Sequence, residues 1–320
     1  MDNVVAKLQQ GQPGRLRFLA RHLPLDRKIQ ICDIGARDMR SPAPYQRLLK
    51  EGMAELSGFE PEEKAFAELQ QKSDDSRRYF QAAVGKPGRS SFFIHQIGSL
   101  SSIYRIKQAA ADYLGKGFWT KRDIREVELD LVALDQVADF PAIDILKMDA
   151  QGAEFDILQG AQERLKQAVV VIPEVRFYQM YEGEPVWADV DRELRSQGFV
   201  LHKFVSMKSV TLGSAQRKRL QSGPLASQLL DGDAVYIRNL EAPDTVSTEQ
   251  LTILAYAADA VFHSPDLVAA CLTHLARRGI VPETLAKRYI DRLPPDLRGE
   301  APTPNNDETD GQNNSADTTA

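Results

Sequence analysis

The sequence predicts an α/β protein whose core is a mostly parallel sheet. From Ile29 onward, short apolar runs alternate with stretches of helical periodicity, which is the pattern of strands joined by helical crossovers. The segment from Ile143 to Ala161 shows this pattern in one piece, since an apolar strand ends at Asp149 and turns at once into an amphipathic helix. Ligands bind at the carboxyl ends of parallel strands, so the pattern also predicts where a site lies.

The chain begins with a predicted helical leader, residues 1–28. Its apolar residues recur at roughly helical spacing, with Leu16, Leu19 and Leu23 on one face, and the run Gln12-Pro13-Gly14 is expected to interrupt it. We expect the leader to pack onto the sheet domain that follows.

The sheet domain is predicted to cover residues 29–240. Its main strands are expected at IQICDIG from Ile29, AELSGFE from Ala54, RYFQAAVG from Arg78, AIDILKM from Ala142, AVVVIPEV from Ala168 and FVLHKFV from Phe199. SSFFIHQI from Ser90 and REVELDLVAL from Arg125 predict a hairpin or a small cap between the third and fourth strands. DAVYIRN from Asp233 predicts a late strand at the sheet edge, antiparallel to FVLHKFV.

Two segments follow the sheet domain. Residues 241–300 are rich in Ala and Leu with helical periodicity, which predicts a helical extension that packs on the sheet domain or forms a partner surface. Residues 301–320 contain no large apolar residue and are rich in Asn, Asp and Thr, so we expect this tail to be disordered.

The composition excludes several classes of protein. A net charge of -5 gives no global basic surface, which disfavours nucleic-acid binding. Arg217, Lys218 and Arg219 form one local basic patch, which we interpret as a solvated surface. No stretch is long and apolar enough to cross a membrane, and two distant cysteines indicate neither a disulfide framework nor a metal site. We therefore expect a soluble, cytoplasmic protein.

The turn after the first strand predicts part of a cofactor site. Asp33 and Gly35 lie there, and a glycine at this place lets the backbone approach a bound cofactor closely. The dinucleotide-binding pattern GxGxxG is absent, because no further glycine follows until Gly52. An ordinary NAD-binding domain is therefore not expected.

The second strand ends at Glu60. A carboxylate at this place can accept hydrogen bonds from both ribose hydroxyls of an adenosine cofactor, because it offers two acceptor oxygens. The alternative is that Glu60 simply starts a helix, since Pro61 follows it.

Lys147 and Asp149 lie on the same face of the central strand, because side chains alternate along a strand. A charged lysine in an apolar run needs a partner, and Asp149 supplies one. Asp149 is our first candidate catalytic residue, with Lys147 beside it. The alternative is a structural ion pair, with Glu154 and Asp156 complementing the positive end of the helix dipole.

Glu174 ends the neighbouring strand. Carboxylates at adjacent strand ends converge on one crevice, so Glu174 could supply a base that deprotonates a hydroxyl. The alternative is a loop held by an ion pair between Glu174 and Arg176.

Other common sites are not found. The five histidines include no HxxxH pair, so no metal ion is expected. Neither the GxSxG nucleophile turn nor the GxxxxGK[ST] phosphate loop occurs, which argues against two common classes of α/β enzyme.

Together these residues resemble the FkbM family of S-adenosylmethionine-dependent methyltransferases. The resemblance is strongest in LKMDAQGAEFDILQGA from Leu146, and continues through Pro173-Glu174-Val175, Tyr181-Glu182-Gly183 and SQGFVL from Ser196. CDIGAR from Cys32, FEP from Phe59 and AAVG from Ala82 follow the family's order and spacing, and Ser101 and Ser102 fall where the family often has serines. The resemblance covers roughly residues 28–239.

The resemblance implies a class I methyltransferase fold, which is a Rossmann-like, seven-stranded, mostly parallel sheet with helices on both faces. It also implies S-adenosylmethionine as the cofactor. The implied contacts are Asp33, Gly35 and Ala36 on the methionine side, Glu60 on the ribose, Ala83 and Val84 near the adenine, and Asp149 close to the methyl group. Arg37 and Met39 stand where the family commonly has Asn and a second Gly, so Arg37 is predicted to contact the cofactor carboxylate.

The predicted function is O-methylation of a hydroxyl on a sugar, a glycan or a secondary metabolite, with Asp149 or Glu174 accepting the proton or orienting the hydroxyl. The alternative is a catalytically silent scaffold that uses its C-terminal helices as a partner surface; self-association through them is also open. Acceptor specificity is expected in residues 90–125 and 178–186. Aromatic rings in and beside these segments could stack on a sugar, namely Phe118, Trp119, Tyr178, Tyr181 and Trp187. The alternative is that these rings pack in the core or within loops.

Overall fold

Strands and helices alternate along the chain in the computed structural model, which describes residues 2–36, 42–221 and 223–299. The strands are β1 (Ile29–Ile34), β2 (Ala54–Phe59), β3 (Arg77–Phe80), β4 (Ala83–Val84), β5 (Gly88–His95), β6 (Ile124–Val132), β7 (Ile145–Met148), β8 (Val170–Arg176), β9 (Phe199–Val210) and β10 (Gln228–Arg238). The helices are α1 (Asp2–His22), α2 (Gln46–Lys50), α3 (Glu63–Gln70), α4 (Gln108–Tyr113), α5 (Glu154–Gln159), α6 (Trp187–Ser196), α7 (Thr248–Ala260), α8 (Pro265–Arg277) and α9 (Thr284–Ile290). The predicted disordered tail, residues 301–320, lies outside the described residues.

Within the described ranges, seven strands form one main sheet in the order β3-β2-β1-β7-β8-β10-β9. The first five strands of this order are parallel to one another, and β10 is antiparallel to both β8 and β9. The chain moves outward from β1 to β3 and then returns to the other side of β1, so the strand order reverses between β1 and β7. Ligands bind at such a reversal in open α/β sheets. The predicted seven-stranded, mostly parallel sheet is confirmed.

The predicted strand RYFQAAVG is divided in the structure. A hydrogen bond from Ala82 N to Phe80 O (3.0 Å) closes a tight turn at Gln81 and redirects the chain. β3 therefore ends in the main sheet, whereas β4 pairs with β6 in a second sheet.

The predicted edge position of DAVYIRN is wrong, although its antiparallel pairing with FVLHKFV is confirmed. β10 lies between β8 and β9, and β9 is the edge strand. Most of β10 is buried, whereas β9 is exposed from Val205 to Ser209. In the interior position β10 hydrogen-bonds to a strand on each side, and more of its side chains are buried there than those of β9 at the edge.

One face of the main sheet packs against α1, α7, α8 and α9. The apolar side chains in this layer include Leu16, Leu19, Ile31, Ile145, Leu254 and Leu272. α1 runs unbroken through Pro13, so the expected interruption is wrong. Tertiary contacts offset the lost helical hydrogen bond, since Gln12 Nε2 donates to the carbonyl oxygens of Asp259 and Ala260, both at 3.0 Å.

A buried polar network joins α1 to the C-terminal helices. Arg15 Nε donates to Asp259 Oδ1 at 2.7 Å, and the Tyr289 hydroxyl donates to the same oxygen at 2.6 Å. α7 itself begins with a capping box, in which Ser247 and Gln250 each accept the other's backbone N–H. The C-terminal helices therefore pack on the sheet domain.

The other face of the main sheet is covered by α5 and α6. Ile157 and Leu158 from α5 and Val190 and Leu194 from α6 lie in one apolar cluster with Leu146 of β7. Helices thus cover both faces, and the carboxyl ends of the parallel strands are left open between the two layers.

A small sheet of order β4-β6-β5 stands beside these open ends. β5 and β6 are antiparallel, so the strand runs from Ser90 and Arg125 pair as a cap rather than as a tight hairpin, with α4 in the connection between them. No helix in the described ranges is both long and apolar enough to cross a membrane.

Candidate functional site

A cleft of about 350 Å³ opens at the carboxyl ends of β1, β2, β7 and β8. Its volume falls in the range of small-molecule sites, about 300–1000 Å³. One end, here called the cofactor end, is lined by Gly35, Glu60, Ala83 and Val84. The opposite end, here called the acceptor end, is lined by Trp119, Asp149, Gln151, Glu174, Arg176, Lys208 and Asp231.

The cofactor end combines one carboxylate with an apolar wall. Glu60 follows β2 and is only 4% exposed, and its Oε1 accepts the backbone N–H of Glu62 at 2.9 Å. This bond fixes the carboxylate in the turn before α3, so Glu60 both prepares the helix start and faces the cleft. Ala83 and Val84 are buried beside it. A carboxylate next to small apolar side chains suits a ribose and a flat base.

Gly35 lets the ends of β1 and β7 come together. Its φ is +80°, a conformation that residues with a Cβ rarely adopt, and a Cβ atom there would lie 2.1 Å from the carbonyl oxygen of Asp149. The sequence predicted that Gly35 lets the backbone approach a cofactor closely. In the structure, the backbone at Gly35 closely approaches the end of the neighbouring strand β7.

Replacing Gly35 by Ala is expected to destabilise the fold and to distort the cofactor end. The positive φ costs about 1–2 kcal/mol with an alanine, and forcing the two strand ends apart costs roughly 1–3 kcal/mol more. Urea unfolding measures the sum. Gly52→Ala is the matched control, because Gly52 has a φ of +69° but no atom within 4 Å of a Cβ. Equal losses in the two variants would contradict the predicted contact with Asp149.

Asp33 and Lys147 lie behind the cleft and do not line it. They are paired residues of β1 and β7, and the Tyr45 hydroxyl donates to Asp33 Oδ2. Burial raises the pKa of Asp33, against the opposing effects of Lys147 and Tyr45. Burial acts to lower the pKa of Lys147, but the surrounding carboxylates, led by Asp33 and Asp149, raise it overall. Lys147 is therefore a half-buried cation held among carboxylates.

Two further predicted cofactor residues follow Gly35. Ala36 is buried and does not line the cleft, and its backbone N–H donates to Phe59 O at 3.1 Å. Arg37 lies outside the described residues, so its predicted contact stays a prediction.

Asp149 and Glu174 lie side by side at the acceptor end. Gln151 Nε2 donates to Asp149 Oδ1 at 2.7 Å and to Glu174 Oε2 at 2.8 Å, so one amide nitrogen links the two carboxylates. Lys147 Nζ lies 4.0 Å from Asp149 Oδ2, which is a long ion pair. No hydrogen bond among the described residues ends on Glu174 Oε1, so that oxygen can receive a ligand.

Arg176 contacts both Glu174 and Gln151 and so holds the two side chains in place. It is 4% exposed and pairs with Glu174 Oε2 at 2.9 Å, Glu184 Oε1 at 3.0 Å and Asp231 Oδ2 at 3.0 Å. Its Nη2 also donates to Gln151 Oε1 at 2.7 Å. The ion pair between Glu174 and Arg176 is thus present, and Glu174 lines the cleft as well.

Glu174 and Glu154 also have raised pKa values. Burial raises the pKa of Glu174 well above its ordinary value, with Arg176 opposing and Asp149 adding to the effect. Burial raises the pKa of Glu154 to about 7. Glu154 accepts the backbone N–H groups of Ala150 and Gly152 at 2.8 and 2.9 Å, so it holds the turn after β7. A general base is expected to be a carboxylate that has a raised pKa and lines a cleft. Of these two carboxylates, Glu174 meets both conditions, since Glu154 does not line the cleft.

Of the five predicted aromatic rings, Trp119 lines the cleft, and Phe92 of the first acceptor segment lines it as well. Tyr181 is fully buried and donates to Leu100 O, and Tyr178 stacks on Tyr113. The other two rings lie elsewhere: Phe118 packs beside Trp119, and Trp187 packs on Phe177 and Phe204.

Gln151 was not found by sequence reasoning. Its φ of +52° is unusual for a residue with a side chain, and Ser102 Oγ donates to its carbonyl oxygen at 2.6 Å. The sequence offered one indication: Gln151 lies between Asp149 and Gly152, in the turn that follows the central strand. Its hydrogen bonds reach strands that are distant in sequence, and no local pattern reports them.

The chain is similar to known methyltransferases. A family model described as the methyltransferase FkbM domain matches residues 33–201, which is more than half of the chain. The 2-O-methyltransferase NoeI of Sinorhizobium fredii (strain NBRC 101917 / NGR234) is 27% identical over 175 residues, covering 50% of this chain and 69% of NoeI.

Similar solved structures include two methyltransferases at low identity. Magnesium protoporphyrin IX methyltransferase from Synechocystis PCC 6803, with bound SAM, is 14% identical with a TM-score of 0.36, covering 73% of this chain and 81% of that one. Precorrin-6y C5,15-methyltransferase from Geobacter metallireducens GS-15 is 10% identical with a TM-score of 0.34, covering 70% of this chain and 87% of that one.

Proposed function

The chain belongs to the FkbM methyltransferase family, and we propose that it methylates a hydroxyl group of a sugar, a glycan or a secondary metabolite. It is an S-adenosylmethionine-dependent methyltransferase. The choice of an oxygen acceptor is supported by the 2-O-methyltransferase among its relatives and by the carboxylates at the acceptor end of the cleft.

The cofactor end of the cleft fits S-adenosylmethionine. The Glu60 carboxylate can accept both ribose hydroxyls, and the apolar wall of Ala83 and Val84 can cover the adenine. Gly35 would lie along the methionine part, whereas Ala36, which does not line the cleft, would support the turn behind it. Asp33, which lies behind the cleft, would hold the end of β1 in place. When bound, the cofactor supplies a methyl group on a positively charged sulfur.

The observation that carries the proposal is the pair of carboxylates held by Gln151. Asp149 would lie nearest the methyl group and orient the acceptor hydroxyl. Glu174 Oε1 would accept the hydroxyl proton as the oxygen attacks, because Glu174 lines the cleft, its recorded contacts end on Oε2, and its raised pKa suits a base. Lys147, which lies behind the cleft, would hold Asp149 in position through their ion pair. Alignment of the two reactants, with water excluded, accounts for the rest of the rate.

Calorimetric titration with S-adenosylmethionine tests the cofactor end. We expect Glu60→Gln to weaken binding by about tenfold to a hundredfold, because hydrogen bonds to a charged group contribute about 1.5–3 kcal/mol. Glu68→Gln, an exposed change on the neighbouring α3, is the matched control and should bind like the wild type. Unchanged affinity in a folded Glu60 variant would contradict the assignment of the ribose site.

An acceptor screen tests the chemistry. Sugars, glycans and hydroxylated metabolites are incubated with the protein and the cofactor, and products that gain one methyl group are analysed by NMR. A new methoxy signal is the expected result. A methyl group on nitrogen or carbon would overturn the choice of oxygen. Cytoplasmic location, self-association and the absence of a nucleic-acid partner stay predictions.

A further inference from the structure

Three cations from separate segments lie at or near the acceptor end, since Lys208 lines the cleft, Lys116 lies beside Trp119 and Arg217 is hydrogen-bonded to Gly115. Lys116 follows α4, Lys208 lies on β9, and Arg217 lies in the connection between β9 and β10. We call them the rim cations. Arg217 belongs to the basic patch of the sequence, and its two neighbours in that patch, Lys218 and Arg219, are exposed.

The two loops that present Lys116 and Arg217 are fitted closely to each other. Arg217 Nη1 donates to Gly115 O at 2.9 Å, and its Nε donates to Thr211 O at 3.1 Å. Gly213 N donates to Tyr113 O at 2.7 Å, and a Cβ on Gly213 would lie 2.3 Å from Asp112 O. These contacts fix Arg217 beside the loop of Lys116, so the fold sets the positions of these two cations relative to each other.

The rim cations are poorly compensated by nearby carboxylates. In the described part of the chain, neither Lys116 nor Arg217 forms an ion pair, and Lys208 reaches Asp231 at 3.4 Å. Asp231 is already paired with Arg176 at 3.0 Å. Burial, together with the charges of Arg217 and Lys208, lowers the pKa of Lys116. Holding like charges together is unfavourable, and an anion would relieve it.

The rim cations adjoin the cleft itself. Lys208 lines the acceptor end, and so does Trp119. Lys116 Nζ lies 5.8 Å from the centre of the Trp119 ring. Trp119 and Lys208 therefore line the acceptor end together with Glu174, and Lys116 lies beside the tryptophan.

We propose that the acceptor is anionic, and that Lys116 and Lys208 bind its carboxylate or phosphate group while its hydroxyl reaches Glu174. Arg217 acts as a positioning residue, because its hydrogen bonds hold the two loops together and its charge adds to the field. This inference rests on the proposed function and narrows the class of its acceptor to acidic or phosphorylated compounds.

Titration of the full chain, saturated with S-adenosylmethionine, tests the proposal. The probes are D-glucuronate, D-glucose 6-phosphate and neutral D-glucose, and binding is followed by chemical-shift changes in the protein NMR spectrum. We expect at least one anionic probe to bind about tenfold more tightly than glucose, since hydrogen bonds between a lysine and an anion are charge-assisted and stronger than neutral ones. The uronate and the phosphate distinguish the two sources of the negative charge.

The variant Lys116→Gln/Lys208→Gln should lose this preference for an anion. Lys86→Gln/Lys287→Gln is the matched control, because it removes the same charge from two exposed positions that do not line the cleft. Equal affinity for anionic and neutral probes, no anion binding, or the same loss in both double variants would overturn the proposal. Binding of the cofactor, measured first on each protein together with its thermal unfolding, separates this failure from a failure of the proposed function.

Discussion

Replacing Arg176 by Met is expected to destabilise the protein by about 3–5 kcal/mol, because removing one partner of a buried ion pair leaves an uncompensated buried charge. Arg176 pairs with Glu174, Glu184 and Asp231, and the latter two carboxylates are buried. Urea unfolding at neutral pH measures the loss. Arg195→Met is the matched control, since Arg195 pairs with Asp191 on the surface of α6, where solvent screens the pair and little stability depends on it.

The loss in the Arg176 variant should depend on pH. Arg176 lowers the pKa values of Glu174 and Glu184, so without it both carboxylates have still higher pKa values in the folded state. A raised folded-state pKa gives stability that is present below the unfolded pKa of about 4.3 and is lost as the pH rises. The difference from the wild type should therefore be larger at pH 8 than at pH 5. A difference that is constant across this range would contradict a charge effect.

Glu174→Gln is expected to lower the rate of methyl transfer by about a hundredfold to ten-thousandfold, which is the usual contribution of general base catalysis. Cofactor binding should be unchanged, because Glu174 lies at the acceptor end. Single-turnover kinetics with the acceptor found in the screen measures the chemical step. Glu68→Gln serves again as the exposed control.

The pH profile of the wild type tests the same residue. A base must be deprotonated to act, and burial raises the pKa of Glu174, so the rate should fall on the acid side at a pH above the ordinary value for glutamate. This limb should disappear in Glu174→Gln and remain in Asp149→Asn, whose expected defect is in orienting the acceptor. If the limb disappears in the Asp149 variant instead, the two roles are exchanged.

The sequence predicted the ends of the strands well. Gly35, Glu60, Asp149 and Glu174 each follow an apolar run, and a residue in that position lies at the carboxyl edge of a parallel sheet in any such fold. The reversal of strand order between β1 and β7 then brings all four to one cleft. Local patterns suffice for these residues because strand direction alone decides which edge they occupy.

Other features depended on contacts between distant segments. The alternation of side chains along the strand correctly predicted that Lys147 lies on the same face as Asp149. Lys147 is two residues farther from the strand end, however, and it therefore lies behind the cleft. Pro13 would break an isolated helix, and packing against α7 keeps α1 continuous. β10 was expected at the edge, and its greater burial places it inside.

The sequence by itself determined the α/β class, the late antiparallel pair, the family and the edge of the sheet where the site lies, because these follow from local periodicity and short motifs. Only the tertiary structure decided that Gln151 links Asp149 to Glu174 and that Arg176 pairs with three carboxylates. It also decided that the rim cations lie near the acceptor end of the cleft. Each of these contacts joins side chains from segments far apart in the chain. Their geometry is fixed by the packing of the whole fold, and no single stretch of sequence contains it.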